Sequence, residues 1–441
     1  MSASVGPARA RIAELEVDLA SARVYEHGWQ SWSPSTDHPV TANGHRPSSP
    51  EAQTMGYRPG VELSPTGFQG EGLLAVSCEP GLTHVFATPG TGTVPSIRAR
   101  LHRSTLTVEA DGPVEHHVVH RPLYDALGHW ASGFAPAGAT IRAAPTGWCS
   151  WYQYYADVTE ADLMENLDGV GRNDLPVDVI QLDDGWQAGI GDWLRMSPRF
   201  APEGTGGGGL GGLSRISRAI RAAGRRPGLW VAPFIVGSGS DLARRHPEWV
   251  GLPVGSGWNQ QIHGLDLRHP AALPALIEVF GALAEHVDYF KLDYLFAGAL
   301  SGIDLYREAM TRIREAVGES YVVGCGAPIL PSIGLVDAMR VGPDIAPHYE
   351  PLVDDWSSYS QATATLSTVG RAWQHGRFWV NDPDCLIARP EMERRTEWAD
   401  VVRRYGGLRC SSDRIADLDP WGLHTTRTAL ASVPPPVPFE S

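Results

Sequence analysis

HVDYFKLDYLFAG, residues 286–298, reads as a short apolar strand over 287–292 that ends on a carboxylate, Asp293. Of the chain's 36 lysines and arginines one is a lysine, and it is Lys291, two residues before that carboxylate. Strand side chains alternate between faces, so Lys291 and Asp293 point the same way. A compact ammonium and a planar guanidinium substitute badly for one another where a point charge must sit close to a small ligand. The stretch has two readings: a lysine–aspartate pair facing a pocket, or a strand-end ion pair with Asp293 capping the following helix.

Outward from it the pattern recurs. Short strand-like runs fall at 146–151, 177–184, 226–234, 287–293, 321–326, 337–344, 377–382 and 407–413, with helical periodicity between them. Thr159 is a plausible N-cap for a helix over 158–170 that spaces Leu163, Leu167 and Val170 on one face. A second helix, 306–317, repeats that spacing through Met310 and Ile313 and stops at Gly318. Eight βα units of this size predict a (β/α)8 barrel of the TIM type over 141–432. An open doubly wound sheet is the rival, but no GxGxxG follows the first strand.

Residues 1–140 read differently. Stretches such as 82–88 and 106–110 alternate apolar and polar side chains between Gly/Pro clusters, which predicts an N-terminal β-sandwich. A short helix is expected near 124–131 and a small-residue linker at 135–140. GWQSWSP, 28–34, holds two tryptophans that are either a core plug, as most tryptophans are, or a ligand platform. EHHVVH, 115–120, lacks a matching ligand cluster for a metal. The glycine run 204–212 lacks the lysine–hydroxyl ending of a P-loop and reads as an insertion, and 433–441 reads as a solvated tail.

A net charge of −14 argues against nucleic acid or an anionic membrane as partner, and 15 tryptophans suit a neutral polyhydroxylated ligand. No signal-like or membrane-spanning apolar run is legible, and five cysteines give no disulfide framework, so a cytoplasmic protein is expected. Assembly as a homo-oligomer is left open.

Barrel active sites lie at the C-terminal ends of the strands. The polar and aromatic residues expected there are Trp151 and Tyr152, Asp183 and Asp184, Lys291 and Asp293, Cys325, Arg340 and Asp344, then Asp382 and Asp384. No HxH or ExxH spacing accompanies them, so no metal is expected. A sugar fits instead: its hydroxyls match aspartates, a lysine and an arginine, and its apolar face stacks on rings such as Trp151 and Trp230. Glycoside cleavage needs two carboxyl groups. Asp293 and Asp344, on the fourth and sixth strands, can approach to roughly 5 to 6 Å, the separation of a retaining enzyme. Asp293 is then the nucleophile and Asp344 the general acid/base, with Lys291 helping to keep Asp293 ionised and Asp344 the less solvated of the two once substrate is bound.

At these residues the chain resembles a known family. APTGWCSWYQYY, QLDD, GLWVAPF, KLDYLFAG, GCGAP, MRVGPD and WVNDPDCL, in this order, together with GWQSW, resemble the α-galactosidases of glycoside hydrolase family 36, short bacterial type. The resemblance implies hydrolysis of terminal α-D-galactosyl residues from oligosaccharides by a retaining mechanism, a β-sandwich in front of a barrel, and neither metal nor organic cofactor. It implies the same roles for Asp293 and Asp344. It further implies that Asp183, Asp184 and Lys291 bind the hydroxyls that distinguish galactose, that Arg340 and Cys325 sit near the 2-hydroxyl, and that Trp230, Trp151, Tyr152 and Trp32 line the sugar site.

The chain departs from the family in a short N-terminal domain, in the glycine insertion, and in leaving little room after the eighth strand for a C-terminal β-domain. Related readings are galactosyl transfer, as in raffinose and stachyose synthases, and an α-N-acetylgalactosaminidase, against which crowding by Arg340 and Cys325 would argue. A sugar-binding protein without catalysis is the reading from another class, and the intact carboxylate pair speaks against it.

Overall fold

Eight short strands form one parallel sheet: β1 (Thr146–Cys149), β2 (Val179–Leu182), β3 (Arg226–Val231), β4 (Tyr289–Leu292), β5 (Tyr321–Gly324), β6 (Ala338–Arg340), β7 (Val380–Asp382) and β8 (Arg409–Ser411). The computed structural model describes residues 9–433 except 48, 50–52, 54–55, 137–139, 201–207, 354 and 357. The expected linker and glycine run lie partly outside these residues, and the expected tail lies outside them from 434 onward.

From β1 to β7 each strand pairs with the next, and β8 pairs with β1. Between β7 and β8 closure is local. The amides of Gly407 and Leu408 donate to the Asn381 carbonyl, and Leu386 bridges Ser411. This is the TIM-type barrel read from the sequence, with strands trimmed to three to six residues.

The barrel interior follows from two-residue alternation. Near the strand starts, Val179, Tyr289, Tyr321, Val323, Ala338, Val380 and Leu408 form a buried apolar cluster, with Tyr289 and Tyr321 stacked at 5.9 Å. Gly228 shares this layer because a Cβ there would come within 2.8 Å of Val179. One or two pleats further on, the same strands present Gln181, Lys291, Arg340, Asp382 and then Asp183 and Asp293, all buried. Each strand thus runs from an apolar plug to a polar rim, and that gradient fixes where a site can be.

The helices pack outside. Glu160–Arg172 begins at Thr159, whose hydroxyl accepts from the Asp162 amide while Asp162 accepts from the Thr159 amide, a reciprocal cap of about 1 kcal/mol. Ile303–Val317 ends at Gly318 in left-handed backbone, φ 56°, as its sequence predicts.

In front of the barrel stand two antiparallel sheets. One orders Ala10–Glu16, Thr105–Ala110, Ser96–His102 and Phe68–Glu71; the other orders Thr36–Pro39, Arg23–Glu26, Leu73–Glu79, Leu82–Ala87 and Glu115–Val119. Val24, Leu74, Val76 and Phe86 of the second sheet meet Phe68, Ile97, Leu106 and Val108 of the first. Its opposite face, with Tyr25, Leu73, Ala75 and Val85, packs into the main core, which includes residues of the helix Leu123–Phe134. Leu73–Glu79 therefore reads as a nearly continuous apolar run, since both of its faces are covered.

The loop 28–35 joins sandwich to barrel. Its backbone pairs with the segment after β5 through Ser31 to Ala327 and Ile329 to Trp29. The buried Arg371 guanidinium donates to the carbonyls of Gln30, Ser31 and Val341. Trp29 plugs the core, whereas Trp32 reaches a cavity at the barrel rim.

Candidate active site

That cavity has a volume of about 190 Å³, the scale of one sugar ring rather than a larger organic ligand. Eight of the expected site residues line it: Trp32, Trp151, Asp183, Asp184, Trp230, Lys291, Asp293 and Asp344. They come from the sandwich loop and from the ends of five barrel strands, so only the closed sheet brings them together.

Asp293 follows the last residue of β4. Its Oδ2 accepts the Trp230 indole N–H at 2.9 Å from the neighbouring β3, and its Oδ1 accepts the Tyr294 amide at 2.8 Å. It caps no helix: the short turn Leu295–Ser301 that follows starts from Tyr294 without a side-chain cap. Two donors fix the carboxyl group and leave lone pairs open to the cavity.

Lys291 and Asp293 do face the same cavity, yet they are not an ion pair. The ammonium bonds Asp183 Oδ2 at 3.2 Å, across β3 on β2. This corrects the expected lysine–aspartate pairing: Lys291 lies one pleat below Asp293, level with the carboxylate that reaches down from the second strand. Asp183 also accepts from Gln181 Nε2 at 2.5 Å, from the Asp184 amide and from the Cys149 thiol. Burial pushes the Asp183 carboxyl up and Lys291 pulls it back. Burial works against the charge on Lys291, yet Asp183 holds its value well above that of an ordinary lysine. Four donors thus surround Asp183 and favour its ionised form against the burial that raises it.

Asp344 sits in the loop after β6. Its Oδ1 accepts from Arg340 Nη1 at 2.9 Å. Protein atoms packed around the carboxyl raise its pKa, while Arg340 and then Lys291 lower it. Its side chain is nonetheless 40 % exposed toward the cleft opening, whereas Asp293 is buried. Asp344 is thus at the mouth and Asp293 at the floor; the expected order of solvation concerns the sugar-bound site.

Three expected residues stand behind the cavity wall. Arg340 is buried and spreads over Asp344, Asp384 at 2.7 Å and Asp382 at 3.7 Å. Tyr152 is buried, donates its hydroxyl to Asp384 and accepts the Ile345 amide at 3.2 Å. Cys325 is buried and accepts the Trp32 indole N–H at 3.3 Å. Arg340 and Cys325 thus hold Asp344 and Trp32, which face the cavity, and Tyr152 holds Asp384 and the backbone just after Asp344. Asp384, in left-handed backbone at φ 91°, is raised to about 7 by burial against the pull of Arg340.

Four lining residues escaped the sequence reading: Trp258, Tyr294, Pro343 and Tyr359. Tyr294 and Pro343 adjoin assigned aspartates. Trp258 comes from an insertion between β3 and β4, a hairpin of Val250–Gly257 and Gln260–Leu265 with Ile235–Gly237 as third strand. The signal for it was present in GSGWNQQ, a turn-like cluster between extended runs. No group of three or more His, Cys, Asp or Glu side chains among the described residues is arranged to hold a metal ion, and no helix among them is long and apolar enough to cross a membrane.

A parallel barrel with paired carboxylates and aromatic walls around one small cavity at its C-terminal rim is the architecture of many glycoside-processing barrels. The Melibiase family matches residues 140–321 of this chain. Among solved structures, the chain is similar to TtGalA, the α-galactosidase of Thermus thermophilus, solved in complex with stachyose. The two are 28 % identical with a TM-score of 0.82, over 96 % of this chain and 94 % of that one. The family 36 glycoside hydrolase α-galactosidase AgaA of Geobacillus stearothermophilus shares the fold, with a TM-score of 0.63 over 95 % of this chain and 61 % of that one. In sequence, AgaA is 29 % identical over 33 % of this chain and 20 % of its own length, and the α-galactosidase of Escherichia coli is 30 % identical over 27 % and 17 %. The matched stretch is thus about a fifth of the length of these curated relatives.

Proposed function

We propose that this protein is a retaining α-galactosidase that removes terminal α-D-galactosyl residues from oligosaccharides. One observation carries the reading: Asp293 and Asp344 face a single sugar-sized cavity in different electrostatic settings. Asp293 is held by two N–H donors, which suits an ionised nucleophile. Asp344 has a raised pKa at the cleft mouth, which suits a group that gives and takes protons.

In the first step an Asp293 oxygen bonds to the anomeric carbon as the glycosidic bond breaks, and Asp344 protonates the departing oxygen. In the second, ionised Asp344 takes a proton from water, whose oxygen bonds to the anomeric carbon and releases Asp293. Asp183, Asp184 and Lys291 are the hydroxyl-binding groups, Trp151 and Trp230 the stacking walls, and Trp32 the sandwich's contribution. Arg340, Cys325 and Tyr152 position them. Residues 141–432 are the catalytic unit in this reading and 1–140 its support, and five buried thiols without a disulfide suit a cytoplasmic location. The relatives solved with stachyose and raffinose support galactosyl oligosaccharides as substrates.

The test is hydrolysis of p-nitrophenyl α-galactoside, with NMR of the first-formed anomer. Wild type should release α-galactose first; Asp293→Gly should be inactive and regain turnover with azide, giving β-galactosyl azide. Inert wild type, or β-galactose as first product, would overturn the proposal.

A further inference from the structure

Both oxygens of Asp184 are held by protein donors. Oδ1 accepts from Gln187 Nε2 at 2.6 Å, a neighbour in the same loop, and Oδ2 accepts from Trp258 Nε1 at 2.7 Å, a residue 74 positions away at the tip of the inserted hairpin. That tip is a two-residue turn, Trp258 at φ 49° and Asn259 at φ 57°. Such turns favour Asn and Gly, and a tryptophan in left-handed backbone is an outlier that needs compensating contacts. The contacts are at the cavity. The Trp258 ring tilts against Tyr294 at 5.6 Å, and Tyr294, itself at φ 52°, meets Trp32 edge-on at 5.0 Å. Three separate segments thus build an aromatic arch over one side of the site, and all three rings line it.

We infer that Trp258 sets sugar selectivity: its indole N–H fixes the Asp184 carboxylate in the orientation that accepts one sugar hydroxyl, and its ring closes that flank of the cavity. A site built to pair a hydroxyl rejects analogues that lack it, because its own buried polar group is then left unpaired. Burial already raises the Asp184 carboxyl, and Gln187 and Trp258 pull it back. Without the indole N–H, Asp184 can turn away or take up a proton, and discrimination falls. The inference rests on the galactosidase reading.

The experiment is a double-mutant cycle on p-nitrophenyl α-galactoside with Trp258→Phe, Asp184→Asn and both together, plus inhibition by galactose and its monodeoxy analogues. Trp258→Phe keeps a ring and loses the donor. Its KM should rise about tenfold, the scale of one charge-assisted hydrogen bond, while kcat falls much less. Galactose should lose a similar factor of its advantage over the one deoxy sugar that lacks the Asp184 partner. The double variant should be no worse than Asp184→Asn, and Trp258→His, which restores a ring N–H, should recover part of the loss. Unaltered selectivity in Trp258→Phe, multiplicative losses in the double variant, or a kcat loss shared by all sugars would overturn the inference. If Trp258→Phe fails to fold, Trp258→His against wild type carries the test, and a full tenfold loss of selectivity in it, despite its ring N–H, refutes the donor role. Inactive wild type refutes the galactosidase reading instead, and the cycle is then read from galactose binding by calorimetry.

Discussion

Replacing Lys291 by methionine removes the cation of a buried pair and leaves Asp183 in place. Lys291 is the chain's single lysine and bonds Asp183 at 3.2 Å, with Gln181, Cys149 and the Asp184 amide as the remaining donors. Breaking such a pair from one side costs about 3–5 kcal/mol. Three donors remain, and Asp183 can also escape its charge by taking a proton, so the lower end is expected at neutral pH. For 441 residues unfolding cooperatively, an entropy of about 2.1 cal/mol/K per residue makes 1 kcal/mol worth roughly 1 °C, so the melting temperature should fall by about 3 °C at neutral pH.

The deficit must depend on pH, and its sign is fixed. Burial holds the Asp183 carboxyl above its ordinary value, and losing Lys291 lifts it further. The folded variant then keeps a proton that the unfolded chain has released. This contribution is full below the unfolded pKa, near 4, and is lost as pH rises through the folded value. Relative to wild type, Lys291→Met should therefore be nearly unaffected near pH 5 and progressively worse toward pH 8. Lys291→Met with Asp183→Asn should recover most of the stability without recovering activity. Calorimetry across that range measures all three proteins. A deficit that does not grow with pH, or a double variant as unstable as the single one, refutes the ion-pair reasoning.

The general-acid role of Asp344 makes a kinetic prediction. Its pKa is raised, so kcat/KM for raffinose, whose leaving group needs a proton, should fall as pH rises through a value above the ordinary carboxylate range. Asp344→Ala should abolish that limb and lose far more activity on raffinose than on a nitrophenyl galactoside; equal losses would count against the role. Gly326 tests the sandwich contribution. It is left-handed at φ 54°, and a Cβ there would sit 2.9 Å from the Trp32 ring, so Gly326→Ala should displace that indole. A stability loss of about 1–2 kcal/mol and a severalfold rise in KM are expected, measured by thermal melts and steady-state kinetics.

The barrel was legible from the sequence because βα alternation and strand-end carboxylates are local signals. A period of two, a cap at Thr159 and a stop at Gly318 depend on a few adjacent residues. The composition of the rim followed from the same logic, since position at the C-terminal end of a strand already says which way a side chain can reach. Partnership did not. Lys291 bonds Asp183 rather than Asp293, and Arg340, Tyr152 and Cys325 stand behind the wall instead of on it, because each outcome depends on depth within a closed sheet and on which neighbour arrives first. Trp258 shows the limit most plainly. Its sequence marks a turn, but only folding carries that turn across the chain to Asp184, and a hydrogen bond between residues so distant leaves no periodic trace in either.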